Sequence, residues 1–432
     1  MTTGTAPLPL RRRRWLRMRP RTLLILAASI AVLLVLVLVF WVVPAERQRR
    51  AVEVVRRAGG EVRYAFEDPR DKSPTSGWLH YLIGVDFTSH PIRAWFTNVA
   101  TDEDLAGLKG LPTVKTISLH ETQVTDEGLA HLSELTGLEE VRLGYCSIGD
   151  AGLAHLGGLE NLRELSLGKT RVGDAGLAHL RGLKNLQSLD LSNTEVGDVG
   201  LAHLSELTRL RQLDLSFTNV HGEGLAHLSR LNSLEVLALN YAPVGDAGLV
   251  HLAGLTNLRE LDLGDTKVGE EGLAHLQHLT SLTKLSLSGT RVIDAGLVNL
   301  RGLVNLTRLD LGFNPAVSDS GLESVAGLSR LEWLDLCGCN VGNAGMAHLS
   351  GLTSLEHLDV SGTQAGDAGL ARLTGLTRLQ SLDLRSTQVS DAGIPYLGTL
   401  TQLEHLYMRS TNVTASGGSQ LRSFLPRTEI VW

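Results

Sequence analysis

Pairs of aliphatic residues separated by one residue recur along most of the chain at a spacing of 24 residues. The clearest pairs begin at Leu165, Leu189, Leu213, Leu237, Leu261 and Leu285. The series extends back to Val141 and Ile117 and forward to Leu309, then slips by one residue and resumes at Leu334, Leu358, Leu382 and Leu406. The slip has a local cause, because the segment 314–317 carries one more residue than 290–292. The pattern predicts thirteen units, with a degenerate unit near 92–99 and a fragment near 430–432.

Residues 162–185 show which elements each unit is expected to form. Leu165 and Leu167 alternate with polar residues, which is the period of a half-buried strand. A buried helix face is predicted by leucines three residues apart, namely Leu177, Leu180 and Leu183. Asp174 precedes this helix, and we expect its carboxylate to cap the free amides of the helix's own first turn. Gly176 recurs in other units despite its cost in a helix, which indicates close approach of neighbouring backbones.

A unit of 24 residues is too short to bury its own apolar side chains. When units stack, each one covers the apolar faces of its neighbours, and their strands pair into one sheet. The core therefore forms only between repeated units. Parallel strands would then line the concave side and short helices the convex side. The pattern predicts an α/β solenoid.

The consensus LxxLxLxxT/CxV followed by DxGLxxL resembles that of the leucine-rich-repeat family, over residues 92–432. It is especially similar to the TDxGL-type variants, and the whole chain resembles bacterial membrane-anchored leucine-rich-repeat proteins with 24-residue GDAGLAHL-type units. The resemblance implies a right-handed leucine-rich-repeat solenoid that binds proteins or other ligands and has no single shared activity. One departure is that the family's usual Asn or Cys after the strand is mostly Thr here: Thr122, Thr170, Thr194, Thr218, Thr266, Thr290, Thr363, Thr387 and Thr411.

Residues 22–43 form a run of 22 residues without a charge. As a helix this run would be about 33 Å long, which is enough to cross a hydrocarbon core of roughly 30 Å. A cleaved signal peptide is the alternative, since Val43, Pro44 and Ala45 could be accepted by a signal peptidase. The apolar part of a signal peptide is usually only ~7–15 residues long, so the length favours an uncleaved transmembrane signal-anchor helix.

The flanks of this run predict its orientation. Residues 1–21 hold seven arginines and no acid, and a short basic tail resists translocation whereas long domains cross largely regardless of charge. We expect a single-pass protein of the cell membrane with its N-terminus cytoplasmic and its repeats extracytoplasmic. The predicted organisation is a basic cytoplasmic tail at 1–21, the transmembrane helix at 22–43, a juxtamembrane linker and N-terminal cap at 44–91, and the leucine-rich-repeat domain with its C-terminal cap at 92–432.

The two ends of the solenoid need caps, because an open end exposes core. Before the first unit we expect a helix over 45–58, a strand on which Val62, Tyr64 and Phe66 alternate, and an apolar turn near 78–83. After the last unit, closure is expected from Leu421, Phe424, Leu425 and Trp432.

Charge and cysteine content exclude several classes of function. Residues 22–432 carry 33 Lys and Arg against 46 Asp and Glu, a balance that repels nucleic acid phosphates. Cys146, Cys337 and Cys339 form neither a disulfide framework nor a zinc site. Motifs for phosphate binding, metalloprotease, hydrolase or kinase chemistry do not occur. We therefore predict no catalytic site, no cofactor and no metal, and a protein that is not an enzyme.

Two columns of titratable residues recur with the repeat. Histidines share one helix position at His131, His155, His179, His203, His227, His251, His275 and His348, and they are interpreted as consensus residues rather than as a metal column or a pH-sensitive surface. Aspartates lie between the two strand leucines at Asp190, Asp214, Asp262, Asp310, Asp335, Asp359 and Asp383. The last four would form a stripe of like charges, which is either solvated by water and serine or offset by a cation or a basic partner.

Departures from the consensus on the concave side are the candidate binding residues. Aromatic and imidazole side chains on a rigid surface are frequent anchors of binding sites, although they can also pack over leucine stems. The candidates are Tyr145, Phe217, Tyr241, Phe313, Trp333, His357, His405 and Tyr407. Since Phe217 and Tyr241 occupy the same position in consecutive units, their rings are expected to be neighbours.

Two functions are consistent with this sequence. The first is a membrane-anchored, extracytoplasmic interaction protein whose concave face binds a protein, peptide or glycan. The alternative is a structural spacer or adhesin of the cell envelope with no specific ligand on that face.

Overall fold

The computed structural model describes residues 20–67 and 89–432, so the predicted tail up to residue 19 and the predicted turn near 78–83 lie outside the described residues. Sixteen strands form one open sheet in sequence order. They are β1 Glu61–Tyr64, β2 Pro91–Trp95, β3 Thr116–Ser118, β4 Glu140–Arg142, β5 Glu164–Ser166, β6 Ser188–Asp190, β7 Gln212–Asp214, β8 Val236–Ala238, β9 Glu260–Asp262, β10 Lys284–Ser286, β11 Arg308–Asp310, β12 Trp333–Asp335, β13 His357–Asp359, β14 Ser381–Asp383, β15 His405–Tyr407 and β16 Glu429–Val431.

The strands stack in the register that the repeat predicts. Leu165 pairs with Leu189, and the one-residue slip is absorbed so that Leu309 still pairs with Leu334. Strand β1 is antiparallel to β2, and every later pair is parallel. The thirteen predicted units correspond to β3–β15, with β2 and β16 as the degenerate flanking units, which confirms the predicted solenoid.

Helices on the opposite side of the units are short. The α-helices after residue 89 are α3 Asp102–Leu105, α4 Asp126–Leu129, α5 Asp150–Leu153, α6 Asp174–Leu177, α7 Asp198–Leu201, α8 Asp246–Leu249, α9 Glu270–Ala274, α10 Asp294–Leu297, α11 Asn343–His348, α12 Asp367–Leu370, α13 Ile394–Leu397 and α14 Ala415–Phe424. Segments of 3₁₀-helix are Ala65–Glu67, Ala106–Gly110, Ala130–Leu132, Ala178–Gly182, Ala202–Leu204, Glu223–Leu228, Val250–Leu252, Val298–Leu300, Gly321–Ser324, Leu349–Gly351 and Asp391–Gly393.

The repeated leucines form one continuous core. Leu177, Leu180 and Leu183 are completely buried, as are their equivalents in neighbouring units. The strand leucines Leu165 and Leu167 are buried as well, so the predicted inward faces of strand and helix are both confirmed. Each apolar side chain is covered by the units on either side, which is why the core runs the length of the solenoid.

The recurring aspartate does not cap its own helix, so that prediction was wrong. Asp174 is already the first helical residue, and its Oδ1 accepts instead from the backbone N–H of Gly197 in the next unit at 2.7 Å. This inter-unit Asp bond recurs from Asp102, Asp126, Asp150, Asp198, Asp246, Asp294, Asp319, Asn343, Asp367 and Asp391. It joins the units along the side where strands lead into helices.

The inter-unit Asp bond also explains why glycine recurs in the helices. A Cβ at Gly176 would lie 2.5 Å from Oδ1 of Asp150 in the preceding unit, which leaves no room for a side chain. A close approach between units at this position is therefore confirmed. The group nearest to the glycine is the carboxylate of the preceding unit rather than its backbone.

Threonine after the strand closes the turn inside one unit. Thr170 Oγ1 donates to the carbonyl of Leu167 at 2.6 Å, and the same bond is made by Thr194. Where the chain slips by one residue, Asn314 replaces threonine. Its Nδ2 donates at 2.8 Å to the carbonyls of both Leu287 and Leu311, so one buried amide ties two units together at the irregular junction.

The N-terminal region is one long helix. It consists of α1 Pro20–Val37, a π-helical turn Leu38–Val42 and α2 Val43–Arg57. The wide turn has a local cause, because Pro44 at the start of α2 cannot donate to the preceding turn and its ring crowds the carbonyl there. Every side chain from residue 21 to residue 44 is exposed, so this helix is apolar along its surface and is a candidate membrane span.

Helix α2 packs on the first unit. Ala51, Val52 and Val55 are buried, while the arginines of α2 are exposed. The predicted strand after it is shorter than expected. Val62 and Tyr64 are buried on β1, but Phe66 falls in a 3₁₀-helix, and the carboxylate of Glu67 accepts from the Tyr64 N–H at 3.0 Å.

At the C-terminal end, α14 and β16 cover the last unit. Leu421 and Leu425 are buried, whereas Phe424 and Trp432 keep about two fifths of their surface exposed. Trp432 lies over Gly418, so it closes the end by covering the helix rather than by entering the core.

Candidate functional site

Four of the eight candidate residues lie in one column at the edge of the concave sheet. The column, here called the left-handed column, is the third residue after each of β3–β15, and all its residues have a positive φ. It consists of Glu121, Tyr145, Lys169, Asn193, Phe217, Tyr241, Asp265, Gly289, Phe313, Gly338, Gly362, Ser386 and Ser410. Glycine and asparagine suit this conformation, whereas bulky aromatic residues disfavour it.

Phe217 and Tyr241 stack on each other within this column. Their ring centroids are 4.3 Å apart and their planes differ by 12°, which confirms that the rings are neighbours. Phe217 is 50% exposed and Tyr241 53% exposed. Asp265 accepts a hydrogen bond from the Tyr241 hydroxyl, and this bond raises the pKa of Tyr241. The pair is a rigid, exposed apolar surface with polar neighbours on either side.

Tyr145 and Phe313 are separate from this pair. Tyr145 meets the His120 ring edge to face at 5.0 Å, and Lys169 Nζ lies 4.3 Å from the centre of the Tyr145 ring. Phe313 is 67% exposed, and its ring borders Gly338 of the next unit. The four aromatic residues of the left-handed column therefore form three separate patches.

The other four candidates lie on the strands themselves. Trp333 is paired with His357, and Ser381 lies between His357 and His405. Trp333 and Tyr407 are half-buried, each below a basic side chain: Arg308 is 3.8 Å from the centre of the Trp333 ring and Arg385 is 5.7 Å from that of Tyr407. These two rings are thus less accessible than the sequence suggested, while both imidazoles are exposed.

The predicted acidic stripe is present on the concave face. Asp310, Asp335, Asp359 and Asp383 are paired in register across four adjacent strands. Burial raises the pKa of Asp335 to about 6, and the neighbouring carboxylates act in the same direction. At the end of the stripe Arg385 is paired with Asp383, with Nε 2.7 Å from Oδ2.

Cys337 lies within this stripe. Its Sγ and one carboxylate oxygen from each of Asp335 and Asp359 lie within 4.8 Å of one another. Burial raises the pKa of the Cys337 thiol, which favours its protonated form. The other two cysteines, Cys146 and Cys339, are free and buried, and burial raises the pKa of Cys339 to about 12.

The histidine column lies along the helices at the boundary of the core. Its side chains range from half-buried to exposed. Among the described residues, none of these imidazoles joins a group of three ligand atoms close enough to share an ion. Burial lowers the pKa of His203, which favours its neutral form and a structural role.

Sequence reasoning missed the basic side chains that accompany the aromatic residues. Lys169 contacts Tyr145, Arg308 covers Trp333 and Arg385 lies over Tyr407. Lys169 could have been found, since it stands 24 residues after Tyr145 in the same column. The candidate surface is therefore mixed aromatic and cationic rather than aromatic alone.

Comparison with known families decides the identity of the fold family. A model described as a leucine-rich repeat region matches residues 199–425, more than half of the chain, and a second leucine-rich-repeat model matches residues 160–220. The chain belongs to the leucine-rich-repeat family. Leucine-rich-repeat proteins typically serve as binding scaffolds rather than as enzymes. A search among curated proteins finds none that matches this leucine-rich-repeat chain.

Solved structures share the same fold. An internalin from Listeria monocytogenes superimposes with a TM-score of 0.60 at 24% identity, covering 76% of this chain and 92% of the internalin. A leucine-rich-repeat protein from Leptospira interrogans gives a TM-score of 0.55 at 20% identity over 76% and 92% of the two chains. A TDR receptor gives 0.51 at 17% identity over 76% and 60%. At these identities the likeness concerns the fold.

Proposed function

We propose that this leucine-rich-repeat protein is anchored in the cell membrane by residues 22–43 and binds a protein or peptide partner outside the cytoplasm. The partner would be held by the left-handed column and the adjoining concave strands. Support for a binding role comes from the family, and one of the similar folds is named a receptor. The exposed apolar surface of α1 and the arginine-rich tail support the anchor.

The choice of the left-handed column as the binding surface rests on one observation. Phe217 and Tyr241 place two stacked, half-exposed rings in a backbone conformation that favours glycine or asparagine. Residues held against their local preference are frequent at binding sites, and aromatic residues are the commonest anchors of protein interfaces. The half-buried concave residues Val236 and Ala238 lie on β8, between the strands that lead to Phe217 and Asp265, and would extend the apolar contact.

The test is the double variant Phe217→Ala with Tyr241→Ala in the full chain. We expect it to lose a partner that the wild-type chain captures by crosslinking in its own membrane, because two rings near the centre of an interface each contribute roughly 1–3 kcal/mol. Quantitative mass spectrometry of the captured material provides the measurement.

The matched control is Ser386→Ala with Ser410→Ala, which changes the same structural position in two consecutive units without touching an aromatic residue. Equal capture by both double variants would contradict the proposed surface, and it would favour a spacer or adhesin whose concave side has no specific ligand.

A further inference from the structure

Helix α2 crosses the N-terminal end of the solenoid in a defined direction. Near its start, Gln48 Nε2 donates to the carbonyl of Ser89 at 2.7 Å, just before β2 begins. Near its end, Thr97 Oγ1 donates at 2.8 Å to the carbonyl of Ala58, just after β2 has ended. Helix α2 therefore runs from the edge where strands begin to the edge where they end.

The contact between α2 and the first unit is too close to allow much sliding. A Cβ at Gly110 would lie 2.6 Å from the Arg47 carbonyl oxygen and 2.8 Å from Ala51 Cβ. A Cβ at Gly107 would lie 3.1 Å from Val54 Cγ2. These contacts show that α2 lies antiparallel to the 3₁₀-helix Ala106–Gly110, and they agree with the direction given by the hydrogen bonds.

The membrane helix leaves the solenoid at the edge where strands begin. Val42 and Val43, which join the π-helical turn to α2, both keep right-handed helical backbone angles, so no flexible segment separates α1 from α2. Arg47 follows Val43 by four residues, or about 6 Å of helix. With Val43 at the end of the membrane span, the closeness of the Arg47 carbonyl to Gly110 puts the end of the 3₁₀-helix Ala106–Gly110 within a headgroup layer roughly 5–8 Å thick.

The two edges of the solenoid differ in charge. The leading edge is defined as the seven residues before each of β3–β15, and it holds twelve Lys and Arg against eight Asp and Glu. The trailing edge is defined as the third to ninth residues after each of these strands, and it holds four Lys and Arg against sixteen Asp and Glu. The more basic edge is the one from which the membrane helix emerges.

We propose that the solenoid lies along the bilayer with its leading edge on anionic lipid headgroups and its trailing edge pointing away. This inference rests on the proposed membrane anchor. Because α2 runs along the direction of the strands, a helix that crosses the bilayer sets the strands upright and lays successive units side by side over the surface. A basic edge is attracted to anionic lipid, and an acidic edge is repelled. The concave face then opens sideways, toward partners at the same membrane.

Two exposed positions in one distant unit separate this arrangement from an outward-projecting solenoid. Thr353 is on the leading edge before β13, and Ala368 is on the trailing edge after it. Each is changed to cysteine in the full chain with Cys146→Thr, Cys337→Ser and Cys339→Thr, which are residues that other units carry at these positions. The labelled chain is reconstituted in phosphatidylcholine and phosphatidylserine vesicles that contain a headgroup-linked nitroxide quencher.

We expect quenching of a fluorophore at Thr353→Cys and none at Ala368→Cys. A fluorophore at Lys109→Cys, beside α2, is expected to be quenched as well. Quenching at Lys109→Cys with none at Thr353→Cys would show that the solenoid projects away from the membrane and would overturn the proposal. Equal quenching at the two distant positions, or stronger quenching at Ala368→Cys, would also overturn it. Release of the chain from the vesicles by alkaline carbonate would instead contradict the anchor on which the proposal rests.

Discussion

Tyr145, Phe217, Tyr241 and Phe313 adopt a backbone conformation with φ between 55° and 62°. The turn requires this conformation, because the N–H of the column residue donates to a carbonyl of the next unit, as from Phe217 to Asn240 at 2.9 Å. In other units the same position is occupied by Gly289, Asn193 or Ser386. An aromatic side chain is therefore not needed for the turn. This is why we propose that the aromatic residues serve to bind a partner.

Asp335 gives a prediction that depends on pH. Its pKa in the folded chain is about 6, whereas an Asp carboxyl in an unfolded chain titrates near about 3.9. Between these values the folded chain binds more protons than the unfolded chain, so stability falls as the pH rises. The variant Asp335→Asn should therefore raise the free energy of unfolding at pH 8 by about 1 kcal/mol, after allowance for solvent screening.

Thermal unfolding of the full chain in detergent between pH 4 and pH 8 provides the measurement. The gain should shrink as the pH falls through about 6 toward 4. Asp262→Asn is the control, because its partners in register are Ala238 and Ser286 rather than carboxylates, and it should show a smaller gain. A gain at Asp335→Asn that does not change with pH would contradict this account of the stripe.

At the scale of elements, the units are joined by leucine packing, which the sequence predicts, and by the inter-unit Asp bond, which it does not. The leucine spacing predicted the strands, the register and the buried helix face, because buried residues recur at regular intervals in the sequence. The inter-unit Asp bond was not predicted, since a carboxylate before a short helix fits a local cap equally well. Only the stacking distance between units decides which amide Asp174 reaches.

Among the described units that begin at β2–β14, two lack the inter-unit Asp bond and provide its test. Gly222 and Glu270 stand at the aspartate position, and neither makes the bond. We expect Asp246→Ala to lower the free energy of unfolding by about 1.5–3 kcal/mol, the usual range for a hydrogen bond to a charged group. Glu270→Asp should raise it by about 1 kcal/mol, because the shorter side chain can reach the Ile293 N–H.

Hydrogen exchange localises both effects. Asp246→Ala should accelerate exchange of the Gly269 amide, which lies 2.5 Å from Asp246 Oδ1, and Glu270→Asp should slow exchange of the Ile293 amide. Unchanged exchange at both amides would show that the units are held together by their cores alone.

At the scale of the whole molecule, the repeat predicted the solenoid almost completely, and it predicted the binding surface only as a set of positions. The spacing placed Phe217 beside Tyr241, but it could not show that Arg308 covers Trp333 or that Arg385 covers Tyr407. Those contacts depend on the direction in which each side chain points across neighbouring strands. This direction does not follow from the spacing of residues along the chain. The helices over 22–43 and 45–58 were predicted separately, and their continuity through Pro44 was not predicted, because proline is unfavourable inside a helix.

Topology gives a further prediction at this scale. A reporter fused after Trp432 should be active outside the cytoplasm, because the arginine-rich residues before the helix retain the N-terminus inside. A second chain in which the seven arginines of residues 1–21 are replaced by glutamine serves as the control and should lose this fixed orientation. A cytoplasmic reporter in the unaltered chain would contradict the proposed localisation.

The most direct test of partner binding is photo-crosslinking in the native membrane. A photoreactive phenylalanine analogue is placed at Tyr241, and in a second chain at Ser386, which holds the same backbone conformation six units along the solenoid. We predict a discrete adduct from Tyr241 and none from Ser386. Absence of an adduct at Tyr241, or the same adducts from both positions, would contradict it.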